Sequence, residues 1–130
     1  MFTEETLKEF IKVKKYEFPN REAAIDALAE GLKIPSVITG RSEKQIEYAE
    51  SCRRRLLYII LNATDEYLED SVFEAMYIHS LSPEEISEIA KEQNTTAEQL
   101  LSDILEDRGI NAVYTLMTES DAQKILAVMR

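Results

Sequence analysis

Apolar and polar residues recur with a helical period along most of this chain. The longest strongly patterned stretch runs from Ser42 to Leu61, where apolar residues at spacings of three and four define one face of a helix. That face consists of Ile46, Ala49, Leu56, Leu57, Ile60 and Ala63. Because nearly every residue from Leu56 to Leu61 is apolar, we expect this part of the helix to lie at the buried centre of the fold.

Helix start and stop signals divide the rest of the chain into further helices. The residues expected to cap helix N-termini are Thr3, Asn20, Ser42, Ser82, Thr96 and Ser120. The helix that starts at Thr96 is expected to run to Arg108 and to end at Gly109 in a Schellman motif. No β-strand pattern is present. The sequence therefore predicts one all-α domain over residues 1–130, a compact bundle of about seven helices with an irregular loop near 32–40.

Arg53 interrupts the apolar face of the long helix. At about 100° per residue it falls between Ala49 and Ile60. Two interpretations remain open. In the first, the guanidinium stays within the chain's own surroundings, where it reaches water or pairs with Glu50. In the second, it binds a carboxylate of a partner. Arg53 is therefore a candidate partner-binding residue.

The charge of the chain is unevenly distributed. Residues 1–58 contain 11 Lys and Arg against 10 Asp and Glu, a net charge of +1, whereas residues 59–130 contain 4 against 15, a net charge of −11. Such an acidic half repels nucleic acid and attracts basic surfaces. The alternative is that the acidic residues only keep the protein in solution.

Seven carboxylates of the acidic half fall on the outer faces of the expected helices. They are Glu84, Glu88, Glu92, Glu98, Asp103, Glu106 and Asp107. We take them as candidate contacts with a protein partner that presents a basic surface.

No pattern in the sequence predicts catalysis or a cofactor. His79 is the one histidine and Cys52 the one cysteine, so no residue cluster has the spacing of metal ligands, and no glycine-rich loop precedes a helix as phosphate binding requires. We therefore expect a non-enzymatic protein without catalytic residues, metals or cofactors. The chain has no run approaching eighteen apolar residues and no apolar signal region, so we expect it to be soluble and cytoplasmic, with no membrane partner.

Residues 82–105 resemble a helix-turn-helix, and their start is similar to the sigma-factor-like pattern L-S-x-E-E-I-A. Ala90 stands where that motif needs a small residue, and Asn94 stands where it usually has glycine. The second helix, however, presents mainly acidic and amide side chains, and Arg108 is the only cation at its end. A DNA reader needs cations to neutralise phosphates, so nucleic acid is not the partner that we expect.

A second resemblance concerns the start of the long helix and the end of the chain. The residues that carry it are Gly40, Ser42-Glu43-Lys44-Gln45-Ile46, Tyr48-Ala49-Glu50, Arg53, Thr118, Ala122, Ile125 and Leu126. They resemble the patterns G-S-E-K-Q-I-x-W-A-E-x-I-R and T-x-x-x-A-x-x-I-L of small helical proteins of phages and mobile elements. The chain departs from the pattern by the inserted Arg41, by Tyr48 in place of tryptophan and by Cys52 in place of isoleucine. The resemblance implies a helical module of mobile-element origin and implies no activity.

Two functional hypotheses follow. The first is a non-enzymatic phage or mobile-element protein that binds a host or partner protein through an acidic helical surface. By analogy of size, charge and origin, it would inhibit a nucleic-acid-binding target, as anti-CRISPR and DNA-mimic proteins do. The alternative is a small helix-turn-helix-type transcriptional regulator that works as a homodimer.

Overall fold

The computed structural model describes residues 1–130 and contains eight helices and no named β-strand. The helices are α1 (Glu4–Lys12), α2 (Arg21–Gly31), α3 (Glu43–Leu61), α4 (65–80), α5 (Pro83–Glu92), α6 (Ala97–Ile104), α7 (Arg108–Thr118) and α8 (Ala122–Met129). Helix α4 consists of Asp65–Tyr67, a π-helical segment Leu68–Val72, and Phe73–Ser80, and a short 3₁₀ turn at Lys14–Glu17 follows α1. The all-α bundle expected from the sequence is confirmed.

Side chains next to the helices set most of the helix starts. Thr3, Asn20, Ser42, Ser82 and Thr96 each accept a hydrogen bond from a backbone N–H three residues later. These bonds satisfy amide groups that have no partner inside the helix, so the caps contribute on the order of 1 kcal/mol each. At the last helix the capping residue is Asp121 and not Ser120, because the Asp121 carboxylate accepts the bond from Gln123 N at 2.9 Å.

The expected end of α6 at Arg108 is wrong. The helix ends at Ile104, and Asp107 begins the next helix by accepting a hydrogen bond from Ile110 N at 3.0 Å. Gly109 lies in the first turn of α7, where a side chain would collide with Ser71 of α4. The glycine thus serves the close approach of two helices and not a Schellman ending.

The main core is a cluster of 19 buried residues from α1 to α4 and α7, together with Leu32. Leu57 and Ile60 of α3 lie inside it at 2% and 0% exposure, as expected for the centre of the fold. Tyr58 and Ile59 are 42% and 47% exposed, however, so the expected burial of the whole stretch from Leu56 to Leu61 is wrong for these two residues. Burial of apolar side chains on this scale is the main stabilising contribution to a domain of this size.

A second, smaller core joins α3 to α8 and to the loop near 32–40. Its buried members are Ile38, Ala49, Cys52, Ala122, Ile125 and Leu126. Thr39 fixes the loop because its N–H donates to Ser120 O at 2.8 Å and its carbonyl accepts from Ala122 N at 2.7 Å. A Cβ placed on Gly40 would lie 3.1 Å from the Cβ of Ala122. The start of α3 and the end of the chain therefore pack against each other, and several of their residues have a packing role.

Helices α5 and α6 form a hairpin that belongs to neither core. Ala90 and Leu100 are its buried residues, and neither is part of the two clusters. Asn94 turns the chain with a left-handed backbone (φ 55°), and Thr95 N–H donates to Ala90 O at 2.9 Å. We call residues 82–107 the acidic hairpin. It is attached to the bundle at the end of α4.

Candidate functional site

The acidic hairpin concentrates negative charge on the surface of the molecule. Residues 82–107 contain eight carboxylates and one lysine, Lys91, which gives a net charge of −7. The seven carboxylates chosen from the sequence pattern, Glu84, Glu88, Glu92, Glu98, Asp103, Glu106 and Asp107, are all exposed. Five of them lie on α5 and α6 opposite the apolar residues of those helices, whereas Glu106 and Asp107 lie in the turn that follows α6.

Two of these seven carboxylates take part in local structure. Asp107 caps α7, and Asp103 accepts a hydrogen bond from Gln99 Nε2 at 2.7 Å. The other five have neither a hydrogen bond nor an ion pair: Glu84, Glu88, Glu92, Glu98 and Glu106. The ion pairs of the molecule involve Lys8, Lys12, Arg21, Arg53 and Arg54, and all lie outside the hairpin. The five carboxylates are therefore available to an external cation.

Three of the unpaired carboxylates form a row along α5. Glu84, Glu88 and Glu92 are four residues apart, so they lie on the same side of the helix about 6 Å from one another. Like charges at this spacing destabilise a helix by a few tenths of a kcal/mol per pair. A basic surface brought against the row removes this repulsion, so the row favours association with a cationic partner.

Arg53 lies apart from these carboxylates. Its side chain is 4% exposed, and its Nη1 donates to the carbonyl of Pro35 at 2.7 Å, while Nη2 lies 3.8 Å from a carboxylate oxygen of Glu50. Burial lowers the pKa of Arg53, and the charge of Glu50 opposes that shift. The pairing with Glu50 that the first interpretation described is present.

Arg53 lies beside both acidic and basic side chains, among them Glu30, Glu50 and Lys33. The residue lines an open depression of about 470 Å³ between α2, α3 and the loop, and no residue of the acidic hairpin lines it. Its Nε is buried without a hydrogen-bond partner. The structure thus separates Arg53 from the other candidate residues.

Replacing Arg53 by methionine is expected to leave the free energy of unfolding unchanged or to raise it. Methionine removes a desolvated charge and an unpartnered donor while filling a similar volume, and replacement of buried ion pairs by apolar residues is often neutral or stabilising. Thermal unfolding of Arg53→Met, together with capture of the partner, checks this. A loss of more than about 1 kcal/mol would show that the bond to Pro35 is required, and abolished capture with unchanged melting would make Arg53 a binding residue.

Reasoning from the sequence missed an apolar part of the same hairpin. Ile86, Ile89, Leu101 and Ile104 are only partly buried, although the helical pattern directs them inward. The helical pattern marks these side chains as inward-facing but does not show how much of them the neighbouring helices cover, so the sequence offered no signal for this surface.

No group of three or more His, Cys, Asp or Glu side chains is placed to hold a metal ion, and Cys52 is a free, buried thiol. None of the helices combines the length and the apolar character needed to cross a bilayer. Comparisons of the chain with protein-family models, with curated proteins and with solved structures gave no match.

Proposed function

We propose that this is a non-enzymatic protein of phage or mobile-element type that binds a host or partner protein through the acidic hairpin. The observation that carries the proposal is the set of five exposed, unpaired carboxylates on a hairpin outside both cores. These side chains make no contact that the fold requires, and their mutual repulsion opposes folding. Their proposed role is to bind the basic surface of a partner.

The proposed partner is a cytoplasmic protein whose basic surface binds nucleic acid. Such a surface attracts carboxylates through the same long-range field by which it attracts phosphates. With a net charge of −7 over residues 82–107, the hairpin would occupy that surface and exclude nucleic acid from it. The protein would then act as an inhibitor of the anti-CRISPR or DNA-mimic type.

Capture of partners from a nuclease-treated host lysate tests this proposal. We expect the full chain to retain a protein with a basic surface at about 50 mM salt and to release it at about 500 mM, because screening weakens exposed charge pairs. The captured protein should also lose binding to its nucleic acid when the chain is added. Retention that does not depend on salt, or an unaffected nucleic-acid complex, would argue against the proposal.

One observation favours the alternative, a dimeric helix-turn-helix regulator. The left-handed Asn94 between α5 and α6 and the burial of Ala90 at 1% exposure agree with the turn and the small residue that this motif requires, and they support the alternative. The exposed face of α6 nevertheless offers Glu98 and Asp103 and no cation. Gel shift with random duplex DNA at low salt is expected to show no complex. A shifted band that disappears with rising salt would establish the alternative.

A further inference from the structure

We propose that the acidic hairpin receives a basic amphipathic helix of the partner, whose apolar residues enter a groove built around Ile86 and Leu101. This inference rests on the proposed function and adds the chemistry of the partner segment. It is carried by the shape of the hairpin, by the incomplete burial of its apolar residues and by the charge that surrounds them.

Two depressions meet at these two residues. The first is a cleft of about 130 Å³ between the end of α4 and the hairpin, and its walls are mainly apolar. The second is a shallow groove of about 550 Å³ between the first turns of α5 and α6. Ile86 and Leu101 line both depressions, so these two side chains border the cleft as well as the groove.

The apolar side chains around the cleft and the groove are incompletely covered. Ile86, Ile89 and Leu101 are only partly buried, and Tyr77 at the edge of the cleft is 57% exposed. A contiguous apolar surface with a polar rim is typical of an interaction site. The cleft provides depth for one or two side chains, and the groove provides length for a helix.

The negative charge around the apolar surface favours a cationic occupant. Glu74 lines the cleft and Glu98 lines the groove, while Glu84 and Glu88 lie on the adjoining outer face of α5. An occupant that matches both the apolar recess and the surrounding carboxylates has apolar residues on one side and cations on the others. An amphipathic helix provides this arrangement, with anchors at spacings of three, four and seven residues. A second hairpin would instead bring like charges together, so self-association through this surface is opposed.

A peptide experiment tests the inference. The probe is a helical peptide of about 18 residues with leucines on one face and lysines elsewhere, and the control peptide has the same composition in shuffled order. We expect the full chain to bind the amphipathic peptide about tenfold more tightly than the shuffled one, since only an ordered face fits the groove. Fluorescence anisotropy measures both affinities over a salt series.

Variants of the chain show where the peptide binds. Ile86→Ala with Leu101→Ala should weaken peptide binding about tenfold without changing its salt dependence, because apolar contact is lost while the charges remain. The matched control is Val37→Ala with Ile59→Ala, two exposed apolar residues elsewhere, which should bind as the parent does. If the alanine variant does not fold, the exposed Ser102 on the groove wall offers Ser102→Tyr, which should block the groove and reduce binding equally.

The outcomes that contradict the groove differ from the outcome that contradicts the proposed function. Equal binding of both peptides, or unchanged binding by the alanine and Ser102→Tyr variants, overturns the groove while the acidic hairpin can still capture a partner in a salt-dependent way. Light scattering that shows a dimer of the parent, dissociated by the alanine variant, overturns it as well, because the occupant is then a second copy. Capture of the partner that does not depend on salt would instead contradict the proposed function.

Discussion

Reversing four exposed carboxylates of the acidic hairpin is expected to slow association with the partner by about 10- to 100-fold at low salt, because charge steers diffusional encounter. The variant combines Glu88→Lys, Glu92→Lys, Asp103→Lys and Glu106→Lys. None of these residues caps a helix, and lysine is a good helix former, so α5 and α6 should persist. Asp107 is left unchanged because it caps α7.

The matched control reverses four exposed carboxylates in the first half of the chain. These are Glu9, Glu17, Glu30 and Glu47, none of which has an ion pair. Both variants change the net charge from −10 to −2, so a difference between them reports position and not total charge. Association rates from stopped-flow mixing over a salt series provide the comparison. Equal slowing by the two variants, or an unchanged rate for the hairpin variant, would contradict the assignment of the hairpin as the binding surface.

Truncating Leu116 to alanine should lower the free energy of unfolding by about 3 kcal/mol, within the range for buried leucines. Leu116 is 0% exposed and lies in the main core on α7, so its removal leaves a cavity among side chains from several helices. Leu101→Ala in the acidic hairpin should cost about 1 kcal/mol, because Leu101 is only partly buried and water can enter the space.

Urea unfolding followed by circular dichroism measures both losses, and amide hydrogen exchange locates them. We expect the hairpin to exchange faster than α3 and α7, since its buried residues are few and belong to neither core. Similar losses for the two variants would show that the hairpin is an integral part of the main core. The hairpin would then be a structural element with an acidic exterior.

The parts of the fold that depend on neighbouring residues could be predicted from the sequence. The capping side chains of Thr3, Asn20 and Ser82 accept hydrogen bonds from backbone N–H groups three residues later. Their residue types alone therefore predict where the helices start. The apolar run from Leu56 to Leu61 likewise predicted four buried core residues, although Tyr58 and Ile59 within the run are exposed.

The parts that depend on tertiary contacts could not be predicted in this way. Gly109 was expected to end a helix, but its role is set by Ser71 of α4, 38 positions earlier in the chain. The position of Arg53 depends on the carbonyl of Pro35, which an irregular loop brings to it. In the candidate site the exposure of Glu84, Glu88, Glu92, Glu98 and Asp103 followed from helical periodicity, whereas Glu106 and Asp107 lie in a turn after α6. The groove around Ile86 and Leu101 did not follow from that periodicity, since a pattern shows which residues face inward and not whether anything covers them.

Hydrogen exchange of the complex with the captured partner tests the central claim most directly. We expect the partner to protect amides in residues 82–107, with the largest change in α5 and in the first turn of α6, and to leave α1 and α2 unchanged. Protection confined to α1 to α3, with the acidic hairpin exchanging as it does in the free protein, would contradict the account and would place the binding surface elsewhere.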